Sequence, residues 1–168
     1  MDGFIIAIAT KDKSSEDLIT FGMEETDNEG INDKALITHF DIFFNTIDKD
    51  VKQKSGGMLA KVEIQGKILK APVLMKKFSK LSEWAHDRRA ETTYRNICIG
   101  IKSSADAFQA VYTLKNVFVV DYREIYELHE DQDRFELRLT QRENNMDKIE
   151  IFSDWPNDWE WTRKKEQN

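Results

Sequence analysis

Apolar and polar residues alternate with a period of two over much of the chain, which is the pattern of a β-strand with one buried face. We expect strands over residues 4–9, 18–23, 35–47, 58–69, 94–102, 110–126, 134–142 and 149–152. In the third of these, Phe40, Ile42 and Phe44 share one face, and Phe43 on the opposite face leads us to expect burial on both sides. The lysine-rich residues 49–57, which end in Ser-Gly-Gly, predict a mobile surface loop.

One segment has a helical period instead. Pro72 marks its start, because proline is tolerated in a first turn, where its missing N–H has no intrahelical partner. The apolar positions then recur at i, i+4, i+7 and i+11, which are Leu74, Phe78, Leu81 and Ala85. This spacing predicts an amphipathic helix of about four turns that packs on the strands by that face. The expected fold is mostly β with one α-helix, as a β-barrel or two-sheet sandwich with a flanking amphipathic helix.

Length and composition restrict the class of protein. A chain of 168 residues fits one domain, which we assign to residues 1–153, followed by a polar, tryptophan-rich tail at residues 154–168. No apolar run approaches the roughly 20 residues of a spanning helix, so we expect no membrane insertion. The N-terminus lacks the basic region of a Sec signal peptide, which predicts cytoplasmic synthesis and leaves export by another route open. The formal net charge of −6 argues against nucleic-acid binding.

The sequence has no recognisable catalytic, metal-binding or cofactor-binding motif, and we predict that the protein is not an enzyme. His39, His86 and His129 stand at no metal-ligand spacing. Asp121 and Glu124 resemble an acid/base pair, but residues three apart on a strand face opposite sides of the sheet. We therefore expect no catalytic residue, no cofactor and no metal.

The tail contains Trp155, Trp159 and Trp161. These side chains suit an interface with another copy or packing against the same chain about equally, and stacking on a ligand is the third alternative.

Four segments carry a resemblance to a known family. They are residues 80–85 (KLSEWA), 93–101 (TYRNICIGI), 112–122 (YTLKNVFVVDY) and 135–142 (FELRLTQR). Their order and residues resemble the haemolysin-coregulated proteins, which build the inner tube of type VI secretion systems, and the related tail-tube fold of contractile phages. The acidic residues 24–34 and the tryptophan-rich tail depart from the family pattern.

The resemblance implies that six copies form a ring, which stacks in a tube, with sheath, baseplate or spike proteins as further partners in an exported or extracellular particle. Exposed strand edges need partners, and another copy of the chain is the most economical one. The candidate interface residues are Ile6, Val117, Val119, Tyr122, Trp155 and Trp159. The alternative hypothesis is a monomeric β-barrel module that binds a small ligand or a partner peptide.

Overall fold

A computed structural model describes residues 3–12, 16–22, 36–46, 58–104, 107–129, 132–142 and 149–156. Within these ranges the chain is mostly β with one long helix, as the sequence predicts. The elements are β1 (Gly3–Ala9), β2 (Ile19–Phe21), β3 (Ile37–Thr46), β4 (Met58–Lys67), α1 (Pro72–His86), α2 (Ala90–Thr93), β5 (Arg95–Ser104), β6 (Ala107–Ile125), β7 (Arg134–Gln141) and β8 (Ile149–Phe152). The four-residue helix α2 is an element that the alternation does not predict.

All the described strands join one antiparallel sheet in the order β2-β1-β5-β6-β7-β4-β3, with β8 also paired to β6. The sheet curls over itself without closing, and the 19-residue strand β6 belongs to both of its halves. The first half of β6 pairs with β5 on one edge and with β8 on the other. Its second half pairs with β7, which lies on the same edge as β8 because Val117 has both Arg95 and Gln141 as partners.

The main core lies between the two halves of the curled sheet. Strand β7 shows how it forms, since Phe135, Leu137 and Leu139 are buried while the residues between them are exposed or half-buried. Phe40, Ile42 and Phe44 of β3 pack against this core from its rim, as predicted. The prediction of burial on both faces of β3 is wrong, because Phe43 is 56% exposed and no described residue covers its face.

A second, smaller apolar cluster lies on the outward face of β1, β5 and the first half of β6. It contains Ile5, Ala7, Cys98 and Val111, and Trp155 from the chain after β8 covers it. Strand β1 is therefore apolar on both faces, with Ile6 and Ile8 in the main core.

Helix α1 packs into the main core by the predicted face. Leu74, Phe78 and Leu81 are buried and Ala85 is half-buried. The ring of Phe78 lies 5.5 Å from that of Phe135 on β7, which ties the helix to the sheet. Lys77 is also buried, with its ammonium 5.7 Å from the ring of Phe21.

The connection from α1 to β5 is fixed by buried polar groups. The guanidinium of Arg95 stacks on the ring of Trp84 at 5.2 Å and donates from Nε to the carbonyl of Thr92 at 2.9 Å. Asp87 accepts hydrogen bonds from the Thr92 hydroxyl and from the backbone N–H of Arg89. This network sets the angle at which the chain leaves the helix and enters the central strand β5.

Candidate assembly surface

The described residues contain no group of three or more metal-ligating side chains. His39 and His129 are exposed, and the ring nitrogen Nδ1 of His86 lies 2.8 Å from the carbonyl of Ser82. Within the same residues, no helix is long and apolar enough to cross a membrane. Asp121 and Glu124 do not converge, as the spacing predicts, because Asp121 lies toward Arg138 at 3.8 Å while Glu124 accepts hydrogen bonds from two tyrosines.

The outward face of β3, β4, β7 and the second half of β6 has no cover among the described residues. We call it the bare face, in contrast to the outward face that Trp155 covers. Phe43 and Val120 are 56% and 55% exposed on it and line a shallow groove of about 450 Å³. Along the groove, Arg138 lies 4.0 Å from Glu63 and 3.8 Å from Asp121, so charges of opposite sign are neighbours there. The bare face is close to neutral and carries two large apolar side chains.

A β-bulge explains why Val120 is exposed. Val119 pairs with Leu139 and Asp121 pairs with Arg138, so Val120 has no partner on β7. The extra residue lets Val119 face the core while Val120 and Asp121 both face outward. Residues 117–120 are all apolar, so the alternation of apolar and polar residues cannot indicate where the bulge lies.

Two edges of this half of the sheet have no strand partner among the described residues. One is the edge of β3 that faces away from β4, and the other is the edge of β6 opposite β7 at residues 118–125. On β6, the hydroxyls of Tyr122 and Tyr126 both donate to the carboxylate of Glu124 at 2.7 Å. Burial, followed by this hydrogen bond, raises the pKa of Tyr122, so the tyrosine stays protonated and holds Glu124 in place.

The candidate interface residues occupy different environments. Ile6 and Val117 are fully buried in the main core, and β1 is paired on both edges, with Ile6 opposite Phe21 and Ile99. Val119 and Tyr122 are half-buried beside the unpaired edge of β6. Trp155 is buried within its own subunit, 6.1 Å from the ring of Phe108, and Trp159 lies outside the described residues. The predicted loop at residues 49–57 also lies outside them, as do residues 157–168 of the tail.

The sequence analysis missed exposed apolar side chains on β3, α1 and β8, at the bulge of β6 and in the connection that follows β6. They are Phe43, Val73, Met75, Val120, Tyr126, Leu128 and Ile151. Leu128 had a usable signal, since it is a single leucine in an otherwise polar turn. Val120 had none, because its exposure depends on the register of β6 against β7.

No protein-family model and no curated protein matches the sequence. Solved structures do match it. The Hcp1 protein of Escherichia coli EAEC 042, solved as a mutant, superposes with a TM-score of 0.53 at 9% identity over 93% of this chain and 100% of that one. Hcp1 from Salmonella typhimurium superposes with a TM-score of 0.50 at 8% identity over 82% of this chain and 81% of that one. The chain has an Hcp-like tail-tube fold.

A third match is a chain of an extracellular contractile injection system, the PVC sheath-tube complex in its extended state. It has a TM-score of 0.48 at 12% identity and covers 92% of this chain and 90% of that one. The sequence-based resemblance agrees with the fold of the two Hcp1 structures, although only 9% and 8% of the residues are identical.

Proposed function

We propose that this protein is the structural subunit of an inner tube, or of a tube-like ring, in a contractile injection system. It acts by self-assembly into hexameric rings and not by catalysis. The observation that carries the proposal is the Hcp-like fold, which extends over 93% of this chain and the whole of the E. coli Hcp1 chain. Its main partner is itself, and sheath, baseplate and spike proteins are further partners in an exported particle.

The two unpaired edges support a ring of identical copies. A closed ring requires two different surfaces on each copy that fit each other head to tail. The edge of β6 at residues 118–125 and the edge of β3 are two such surfaces at opposite ends of one half-sheet. Pairing β6 of one copy with β3 of the next would continue the sheet around the ring and satisfy the N–H and C=O groups of both edges.

This arrangement reduces the number of predicted interface residues that would contact the next copy directly. Val119 and Tyr122 lie on the β6 edge, so we propose them as contact residues. Ile6 and Val117 are buried within their own subunit, so they would contribute to the interface only by stabilising the strands that form it. Trp155 would act in the same indirect way, by fixing the sheet half that does not form the shared wall.

The mass of the protein in solution tests the proposal. We expect light scattering to give a particle near six times 19.7 kDa, and electron micrographs to show annuli. A protein that stays monomeric at high concentration would contradict the ring and return attention to the binding-module alternative. In that case the bare-face groove lined by Phe43 and Val120 is the place to look for a ligand, because the interior between the sheet halves is filled by side chains.

A further inference from the structure

The segment from β8 to Trp155 lies over the second apolar cluster, and we call these residues, 149–155, the strap. Ala7, Cys98 and Val111 come from three different strands and are fully buried in the cluster. Phe152 and Trp155 of the strap pack against them. The strap therefore shields an apolar surface of the sheet from solvent.

A glycine in this surface leaves room for aromatic rings. A Cβ atom on Gly100 would lie 2.6 Å from the ring of Phe108 and 3.4 Å from the ring of Trp155. The centroids of the two rings are 6.1 Å apart, so the rings pack against each other over the glycine. The site is therefore shaped to hold a tryptophan that follows a strand on the edge of β6.

The strap is attached to the rest of the sheet on one side alone. Among the described strands β8 pairs only with β6, over four residue pairs that run from Val111–Phe152 to Leu114–Ile149. Ile151 is 64% exposed, so the subunit leaves part of the strap uncovered. A short edge strand of this kind can separate locally while the sheet beneath it stays folded.

The chain that leads to the strap is longer than its path requires. Strands β7 and β8 follow each other along the same edge of β6, since Gln141 pairs with Val117 and Ile149 pairs with Leu114. These two partners on β6 are about 10 Å apart along the strand. Residues 142–148 join Gln141 to Ile149 and can span about 25 Å. The difference gives the strap the reach to bind at the same edge of an adjoining copy.

We propose that the site beneath the strap accepts the strap of a second copy as well as its own, so that adjoining copies exchange these segments. The inference rests on the proposed function, which brings copies side by side. An exchanged strap makes the same contacts as the original one, and a ring keeps the strap of the neighbour at a high effective concentration. The occupant is another copy because the site fits this particular segment, a short strand followed by a tryptophan.

Single cysteines on the two strands report which copy supplies the strap. Thr113 on β6 and Glu150 on β8 are direct partners. Antiparallel partners have Cα atoms about 4.5–5.5 Å apart, which permits a disulfide. Full-length Thr113→Cys and Glu150→Cys, both with Cys98→Ala, are coexpressed and mildly oxidised, and covalent dimers are measured on denaturing gels. The control pairs Thr113→Cys with Ser79→Cys, at an exposed position on α1.

We expect covalent dimers of the two strap-site variants to exceed those of the control by about tenfold or more. Light scattering on the same samples gives the mass of the assembly. Rings without an excess of dimers overturn the inference and leave the proposed function standing. A protein that stays monomeric and forms no dimers overturns both.

The unaltered chain provides an independent measurement, because Cys98 is its single cysteine and is buried beneath the strap. Exchange requires release of the strap, so a maleimide should label Cys98 at a rate that changes little in low urea. Trp155→Ala should raise this rate by about tenfold or more, while Phe43→Ala on the bare face should leave it unchanged. Labelling that appears only where urea unfolds the whole chain would show that the strap does not separate, and it would overturn the inference.

Discussion

At the scale of single residues, spacing predicts the buried face of α1 but does not predict which polar side chains are buried. The face of Leu74, Phe78 and Leu81 follows from helical periodicity. The burial of Arg95 does not follow from periodicity. The residue stands in a strand-like run and becomes buried only because α1 and β5 meet there. Two contacts from different elements stabilise its guanidinium, which stacks on the ring of Trp84 and donates a hydrogen bond to the carbonyl of Thr92. Sequence spacing contains no signal for a contact of this kind.

Replacing Arg95 by lysine tests the importance of this junction. Lysine keeps the charge but loses the Nε–H bond to Thr92 and the planar stacking on Trp84, while its ammonium remains in a poorly solvated place. We expect Arg95→Lys to lower the free energy of unfolding by about 1–3 kcal/mol in urea titrations. The matched control is Arg88→Lys at an exposed position, which we expect to change it by less than about 0.5 kcal/mol. Equal effects of the two variants would contradict a structural role for Arg95.

The stability of the same junction should depend on pH through Asp87. Burial alone would raise the pKa of Asp87, but hydrogen bonds from the Thr92 hydroxyl and from Arg89 outweigh it and lower the pKa below 3.8. A lowered pKa means that the carboxylate stabilises the fold above its unfolded-state pKa and loses this effect as the pH falls through the folded-state value. Asp87→Asn should therefore be less stable than the parent at pH 7, by about 1 kcal/mol.

Urea titrations between pH 7 and pH 3 measure this difference. The gap between Asp87→Asn and the parent should narrow as the pH falls below about 4, where the parent carboxylate also becomes neutral. Thr92→Val removes one donor to the carboxylate and should reproduce part of the loss at pH 7. A gap that stays constant over this range would show that the charge of Asp87 does not contribute.

At the scale of elements, periodicity predicts the type and approximate bounds of α1 and of the eight strands found in the described part of the chain. It fails at irregular points, where neighbours decide the outcome. The short helix α2 occupies Ala90–Thr93 because the connection after α1 is closed by hydrogen bonds from Thr92 and Thr93 to the carbonyl of Arg89. The bulge at Val120 interrupts the alternation of side-chain directions in β6. Phe43 is exposed because no second layer covers β3 among the described residues, although its apolar character suggests one.

The docking of α1 is testable by truncation of its buried face. Phe78→Ala removes a ring that contacts Phe135, so we expect the free energy of unfolding to fall by about 3–5 kcal/mol through lost burial and cavity formation. Val73→Ala in the first turn removes two methyl groups from a side chain that is 42% exposed, and it should cost less than about 1 kcal/mol. Similar denaturation midpoints for the two variants would mean that the helix is not docked by the face described here.

At the scale of the whole molecule, strand spacing predicts a β-barrel or two-sheet sandwich with a flanking helix, but it does not predict that one strand belongs to both halves of an open sheet. The long strand β6 belongs to both halves because its partners change from β5 to β7 near Val117, where Asn116 adopts a positive φ of 56°. This change leaves one edge of residues 118–125 without a strand partner among the described residues. The asymmetry between the outward face covered by Trp155 and the bare face also depends on this architecture. The free edge and the bare face are therefore features of the folded subunit that the spacing of apolar residues does not predict.

Proline at position 120 tests whether the free edge of β6 closes the ring. Val120 has no partner on β7, and proline is tolerated at bulges and on edge strands, so the subunit of Val120→Pro should keep its fold. Proline also fixes φ and adds its ring beside the edge that we pair with β3 of the next copy, so the assembled ring should dissociate into smaller species. Val120→Thr keeps the N–H and nearly the same side-chain shape, and its rings should persist. Circular dichroism establishes the fold of both variants, and light scattering gives their mass. Folded Val120→Pro that assembles as readily as Val120→Thr would place the contact between copies elsewhere than on this edge.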